Sequence, residues 1–260
     1  MRLVKRAGEI ARHYQLLNAL ILKDFDSRYA GSFIGILWTQ AYPLLLLLVY
    51  SFVFSMIFKT DTPRFPLFLF VGIAVWNFFS SSVLLGTNSI LANAHLVTRI
   101  SFPRELVTIS SVLIALIDLG MSHAILLVGA VLYGVLPSWS WLALPLIVFL
   151  LLLFCLGLAL TLATAVVYLR DVRFLVEVGV TMLMFLSAVF YSQDAVPDSV
   201  AWMFKINPLA LTISAYRGAF LDGVWPGAST WLVLGALALL ALWIGIETFD
   251  RGQRGFADAL

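Results

Sequence analysis

The sequence predicts an all-α integral membrane protein: six transmembrane helices, an N-terminal amphipathic interfacial helix, and two short re-entrant helices between spans five and six. Three observations predict it. Of 260 residues, 62% are hydrophobic and 12% charged, with a mean hydropathy of +1.01, whereas soluble chains use ~45–50% apolar and ~25% charged residues. The uncharged stretches are long enough to cross a bilayer, which takes ~20 residues per helix. Lysine and arginine gather on alternate connections. Six crossings use about 120 residues, which excludes a large extramembrane domain. The chain therefore reads as one membrane domain, with an interfacial helix over 1–30, a six-span bundle over 31–249 and a small polar tail over 250–260.

The elements follow in order. At the N-terminal end Leu3, Ala7, Ile10, Tyr14, Leu17, Ile21 and Phe25 recur every three or four residues, with Arg2, Lys5, Arg6 and Arg12 elsewhere on the wheel. That reads as an amphipathic helix lying in the headgroup region, its basic face meeting anionic membrane lipids or a protein partner; a segment that only sets topology by its positive charge is the alternative. Asp24 and Arg28 stand four apart, acid first, which carries the helix up to span one. A charged start of this kind does not resemble a cleaved signal peptide. Span one lies in the uncharged run between Ala30 and Phe58, span two in Phe65 to Ala94, and span three in Leu106 to Leu136. Pro137-Ser138-Trp139-Ser140 makes a turn, Trp141 to Leu169 is span four, Leu175 to Tyr191 a short span five, and Thr230 to Phe249 span six.

Counting lysines and arginines on alternate sides gives 12 against 4. Arg2, Lys5, Arg6, Arg12, Lys23, Arg28, Arg99, Arg104, Arg170, Arg173, Arg251 and Arg254 fall on one side; Lys59, Arg64, Lys205 and Arg217 fall on the other. Cytoplasmic connections carry the positive excess, so both termini are expected in the cytoplasm.

Several chemistries are excluded. Cys155 alone forms no intrachain disulfide, and His13, His95 and His123 lack zinc-ligand spacing, so no metal site is expected. A net charge of +2 gives no footprint for nucleic acid. There is no G-x-x-x-x-G-K-[ST] to cradle nucleotide phosphates, no H-E-x-x-H and no G-x-S-x-G. The chain is expected to bind no cofactor, not to be an enzyme, and not to hydrolyse ATP itself.

Four features stand out. Between spans five and six, Val200–Phe204 and Leu209–Ile213 are apolar runs too short to cross, and Asn207-Pro208 breaks any single helix between them. Two readings are open: re-entrant helices over the outer mouth of the bundle, or amphipathic helices resting on lipid. Asp118 lies mid-span, where an ionised carboxylate costs at least ~2.5 kcal/mol, so it should face protein or water. His123 is a tempting proton-relay partner, but five residues at ~100° each put the two about 140° apart, which favours a hydrated polar site. Trp38, Tyr42 and Phe52 fall within an arc of about 80° on span one, a face that suits sugar stacking and suits ordinary bundle packing equally. Gly157-x-x-x-Thr161-x-x-x-Ala165 is a small-residue face for close helix approach. Glu177 with Arg173, and Glu247 with Arg251, read as helix-surface pairs.

These pieces resemble the permease subunit of ABC exporters for polysaccharides and polyol phosphates, the type-2 group that includes the O-antigen exporter Wzm and its relatives KpsM and TagG. The similarity lies in Asp26-Ser27-Arg28-Tyr29-Ala30-Gly31-Ser32-Phe33-Ile34-Gly35-Ile36-Leu37-Trp38 with Pro43, in Asn93-Ala94-His95-Leu96-Val97 with Phe102-Pro103-Arg104, in Leu169-Arg170-Asp171-Val172, and in Val196-Pro197 with Lys205-Ile206-Asn207-Pro208-Leu209. Each motif is weak alone; four in order are specific. The resemblance implies a homodimer of this chain with two copies of a nucleotide-binding subunit, which holds ATP and magnesium. It also implies a passage at the dimer interface for a lipid-linked polysaccharide, nearest to O-antigen on undecaprenyl diphosphate. Asp24, Arg28, Tyr29, Arg99, Phe102, Pro103, Arg104, Glu105, Arg170 and Asp171 would then touch the ATPase. Trp38, Tyr42, Phe52 and Asp118 would line the conduit, and Trp202, Phe204, Asn207, Pro208, Tyr216 and Arg217 would form the outer re-entrant gate. The resemblance places the chain in the bacterial inner membrane. Capsule and teichoic-acid export by the same family remain open. So does a stand-alone ion-coupled flippase, against which the sequence offers no internal repeat and a single central acid.

Overall fold

The computed structural model describes residues 12–29, 37–57, 62–100, 102–193 and 196–260, and the side chains of 27–29 are not among what it describes. Leu3, Ala7, Ile10, Arg2, Lys5, Arg6, Lys59 and the 30–36 part of the first motif lie outside those residues. No strand occurs among the described residues. The elements are α1 (Tyr14–Tyr29), α2 (Trp38–Phe52), which runs on into a π-helical turn over Val53–Ile57, α3 (Phe65–Ala92), α4 (Ala94–Arg99) and α5 (Glu105–Leu132). After a 3-10 turn at Trp139–Leu142 come α6 (Ala143–Tyr168), α7 (Val172–Leu186), α8 (Ala201–Ile206), α9 (Pro208–Leu221) and α10 (Ala228–Gly252). A second 3-10 turn, Gln253–Gly255, leads to α11 (Phe256–Ala259).

Five of these stretches are long and apolar enough to cross a membrane: Trp38–Ile57, Phe65–Ala92, Glu105–Leu132, Trp139–Tyr168 and Ala228–Ala259. They match the charge-free runs of spans one to four and six. The fifth run differs. Its helix, α7, has 15 residues and rises about 22 Å at ~1.5 Å per residue, short of the ~30 Å hydrocarbon core. Ala188 then adopts a left-handed conformation, φ 54, and the chain leaves the helix.

Packing is centred on α3, whose apolar residues are buried on nearly all sides by α5 and α6. The most extensive helix pair is α6 with α10. There the small-residue face is real: a methyl added at Gly157 would strike the Ala241 carbonyl, and one at Gly245 would strike the Gly157 carbonyl. Farther along, Gly252 rests on Thr164 and Gly255 on Tyr168. The contact line thus runs on from Gly157 through Thr164 and Tyr168, steps of seven and eleven that stay within about 20° of one face at ~100° per residue.

A second apolar cluster closes one end of the bundle. It joins Leu20 of α1, Ile90 of α3, Val97 of α4, Leu106 and Val107 of α5, Leu160 and Val167 of α6, and Phe249 and Phe256. The described side chains Lys23, Arg99, Arg104, Arg170, Arg173, Arg251 and Arg254 belong to the segments that meet at this end. Two details differ from the sequence reading. Helix α1 uses Leu16, Leu17 and Leu20 against protein while Tyr14 points outward, because the start of α5 offers an apolar partner. The 250–260 stretch is no free polar tail: Phe256 is fully buried.

Candidate functional site

Three regions gather the polar residues. The first is a cleft of about 380 Å³ between α2, α3, α5 and α7. Its walls carry Thr39, Gln40, Tyr42, Asn77, Ser80, Ser81, Asp118, Ser122 and Thr181, with Trp76 and Met184 beside them. Asn77 and Asp118 lie near the midpoints of α3 and α5, so the cleft is polar at membrane depth, where ionisable groups turn toward protein or water. Gln40 ties α2 to α5: it is buried, its Nε2 donates to the Asp118 carbonyl at 3.2 Å, and its Oε1 accepts from Ser122 Oγ at 2.9 Å. The expected conduit residues are partly united here. Tyr42 and Asp118 share the cleft, whereas Trp38 and Phe52 are exposed elsewhere on α2 and do not line it. Sequence reasoning missed Gln40, Asn77 and Ser122; the signal was a polar side chain inside each of two spans and a serine one turn after Asp118.

His123 turns away from the cleft. Its Nδ1 donates to the Leu119 carbonyl at 2.8 Å, since a carbonyl can only accept, and its Nε2 is hydrogen-bonded to the Tyr216 hydroxyl. The pair joins α5 to α9.

The second region is the segment between spans five and six. Both expected short helices form, broken at Asn207-Pro208. Helix α9 is wedged among α3, α6 and α10, and Tyr216 is fully buried. Side chains satisfy the backbone wherever it is irregular. Asn207 Oδ1 accepts from the amides of Leu209 (2.9 Å) and Ala210 (3.3 Å), capping α9. Its Nδ2 donates back to the Leu186 carbonyl at 2.9 Å. Arg217 reaches the same break: it donates to the carbonyls of Val189 (2.6 Å), Ala188 (2.8 Å) and Tyr191 (3.3 Å), and to Phe68 at 3.1 Å. Its guanidinium lies 3.4 Å from the centroid of the Phe68 ring, and Gly72 leaves the space for it. At the far end of α9, Ser140 Oγ and Trp141 Nε1 donate to the carbonyls of Ala219 (2.5 Å) and Phe220 (3.1 Å). Phe204 is buried against Ala188 and Ala210, whereas Trp202 is exposed. Irregular backbone survives at membrane depth only when buried and satisfied in this way.

The third region is the basic end. Arg170 and Asp171 form an exposed turn between α6 and α7, and Arg99 is exposed at the end of α4. Phe102, Pro103 and Arg104 are half-buried and Glu105 is buried; Arg104 Nη1 donates to the Gln253 carbonyl. Asp24 is half-buried on α1, and the side chains of Arg28 and Tyr29 lie outside the described residues. Glu247 pairs with Arg251 at 2.7 Å as expected, but Arg173 lies over the Phe174 ring, 4.5 Å from its centroid.

Comparison with known proteins decides what this arrangement is. Residues 15–221 match the family of ABC-2 type transporter membrane proteins. The chain belongs to that family. Among its relatives is the O-antigen export system permease protein RfbA of Myxococcus xanthus, 30% identical over 260 residues, which cover 99% of this chain and 100% of the relative. Two proteins of the same description from Klebsiella pneumoniae are each 28% identical, over 258 residues (99% of both chains) and over 250 residues (95% of both). An ABC-2 transporter chain with these helices is a multi-pass membrane protein and a transport subunit.

Proposed function

We propose that this chain is the membrane-spanning permease of an ATP-driven exporter that moves a lipid-linked polysaccharide, O-antigen on undecaprenyl diphosphate, from the cytoplasm across the inner membrane. End-to-end similarity to three O-antigen export permeases carries the reading. The polar cleft at membrane depth supports it, because a glycan needs hydroxyl partners along its route. Two copies of the chain enclose the passage, with Tyr42 and Asp118 in its wall, and Trp38 and Phe52 complete the aromatic face. The chain contributes no catalytic residue, and ATP and magnesium are held by two partner nucleotide-binding subunits. The basic end faces the cytoplasm, with both termini there.

Work reaches the passage only if the partner binds two states of the permease differently. The exposed Arg170-Asp171 turn, Arg99 and the start of α5 are the contact points in this reading. The segment of α8 and α9, joined to the end of α7 by Asn207 and Arg217, closes the outer mouth. Deleting the gene in its host tests the proposal: undecaprenyl-linked polymer should accumulate on the cytoplasmic face and return to the surface on complementation. Unchanged surface polymer would overturn it.

Two substitutions probe the parts. Asp171→Ala is expected to lower export roughly tenfold, within the 5–150-fold range of typical coupling energies, while the complex still assembles; export rate in vesicles, measured against subunit stoichiometry, checks this. Asp118→Asn is expected to keep export within about twofold, because a neutral amide preserves a polar wall and an ionisable role is not required. Loss of export from an assembled complex would show that the charge itself is used.

A further inference from the structure

The 253–260 segment is anchored at the basic end of the bundle. Phe256 is fully buried, its ring edge-on to Phe249 at 5.5 Å and 6.2 Å from Tyr168. Tyr168 donates to the Gly252 carbonyl at 2.6 Å, and Gly252 and Gly255 lie so close to Thr164 and Tyr168 that neither has room for a side chain. From this anchorage the segment reaches the 94–105 stretch. Arg104 donates to the Gln253 carbonyl, α11 packs on α4, and Ala259 and Leu260 join the cluster that holds Val97 and Leu106. On the opposite side Lys23 Nζ of α1 donates to Asn93 Oδ1 at 2.5 Å.

Helix α4 has only six residues, far fewer than the ~12–15 an isolated helix needs to be even marginally stable, so its position is set by what grips it. Its outward edge, with His95, Thr98 and Arg99, is exposed.

We propose that residues 253–260 are a positioning clasp: Phe256 anchors them to α6 and α10, and Arg104 ties them to the 94–105 segment, whose exposed edge they hold in place for the ATP-hydrolysing partner. The clasp itself is a claim about this chain; its use in coupling rests on the function proposed above. Phe256 and Arg104 are positioning residues.

Amide hydrogen exchange on the assembled complex tests the clasp. Phe256→Ala should speed exchange at residues 95–100 by roughly tenfold or more while α3 keeps its protection, and Phe256→Leu should restore it. Unchanged exchange at 95–100 in a variant whose 253–260 amides have become labile would overturn the clasp. If Phe256→Ala loosens α3 as well, Arg104→Met, which keeps the aliphatic stem, decides by the same readout. A Thr98→Cys cross-link to the partner subunit tests the coupling part separately. It should form in the parent complex and drop several-fold with Phe256→Ala. No cross-link in the parent would count against the proposed contact face and leave the exchange result standing. A cross-link that Phe256→Ala leaves unaltered would show that the clasp does not serve that contact.

Discussion

Arg217→Met is expected to abolish accumulation of folded protein. Arg217 holds four backbone carbonyls, three of them, on Ala188, Val189 and Tyr191, just past the end of α7. Each buried acceptor left without a donor costs about 1–3 kcal/mol, so losing the guanidinium removes several such contributions at once. The cation–π contact with Phe68 is lost too, worth ~2 kcal/mol when desolvated. Among the described residues no carboxylate pairs with Arg217, so the substitution strands no partner charge, and the effect isolates backbone satisfaction. Arg217→Lys should be intermediate, because an ammonium lacks the planar fork that meets several carbonyls together. Gly72→Val should reproduce the Met phenotype from the other side, since any Cβ at Gly72 lies 2.6 Å from both Arg217 Nη2 and the Val189 carbonyl. Yield of monodisperse protein in detergent reads all three, and a normal yield of Arg217→Met would show that the break needs no cap.

The second large effect is expected at the α6–α10 crossing. Gly157→Val should prevent the two helices from closing, because the added atoms meet backbone of Ala241 and Leu242, which has no rotamer to yield. Overpacking a core with movable side chains costs about 1–3 kcal/mol; here the helices themselves must separate. Gly120, Gly179 and Gly235 are internal controls, with nothing within 4 Å of an added methyl, and alanine at each should leave yield unchanged. Equal tolerance at Gly157 would contradict the crossing.

What was legible in the sequence follows from physical range. Uncharged runs and turn residues act locally, and they placed the long helices and the Asn207-Pro208 break. The spacing of Gly157 and its neighbours announced a close approach without naming the partner, because Gly245 and Ala241 lie some ninety residues away. Arg217 was marked as part of an outer gate, but its acceptors at 188–191 belong to a break that only tertiary structure creates. Gln40 and Ser122 each read as one more polar residue in a span until α2 met α5. The 253–260 clasp was the least legible: one phenylalanine in a polar stretch carries no periodicity, and its burial depends on the ends of other helices, with Tyr168 of α6 and Phe249 of α10 against its ring.

This ABC-2 family chain is expected to work only with an ATP-hydrolysing partner. Tagged protein purified in detergent from its native host checks this, by the bands that accompany it and by ATP hydrolysis. A nucleotide-binding subunit in equal amount, with ATPase activity in the pooled complex, is the predicted result. A stable protein that comes down alone and hydrolyses no ATP would contradict it and favour an ion-coupled transporter.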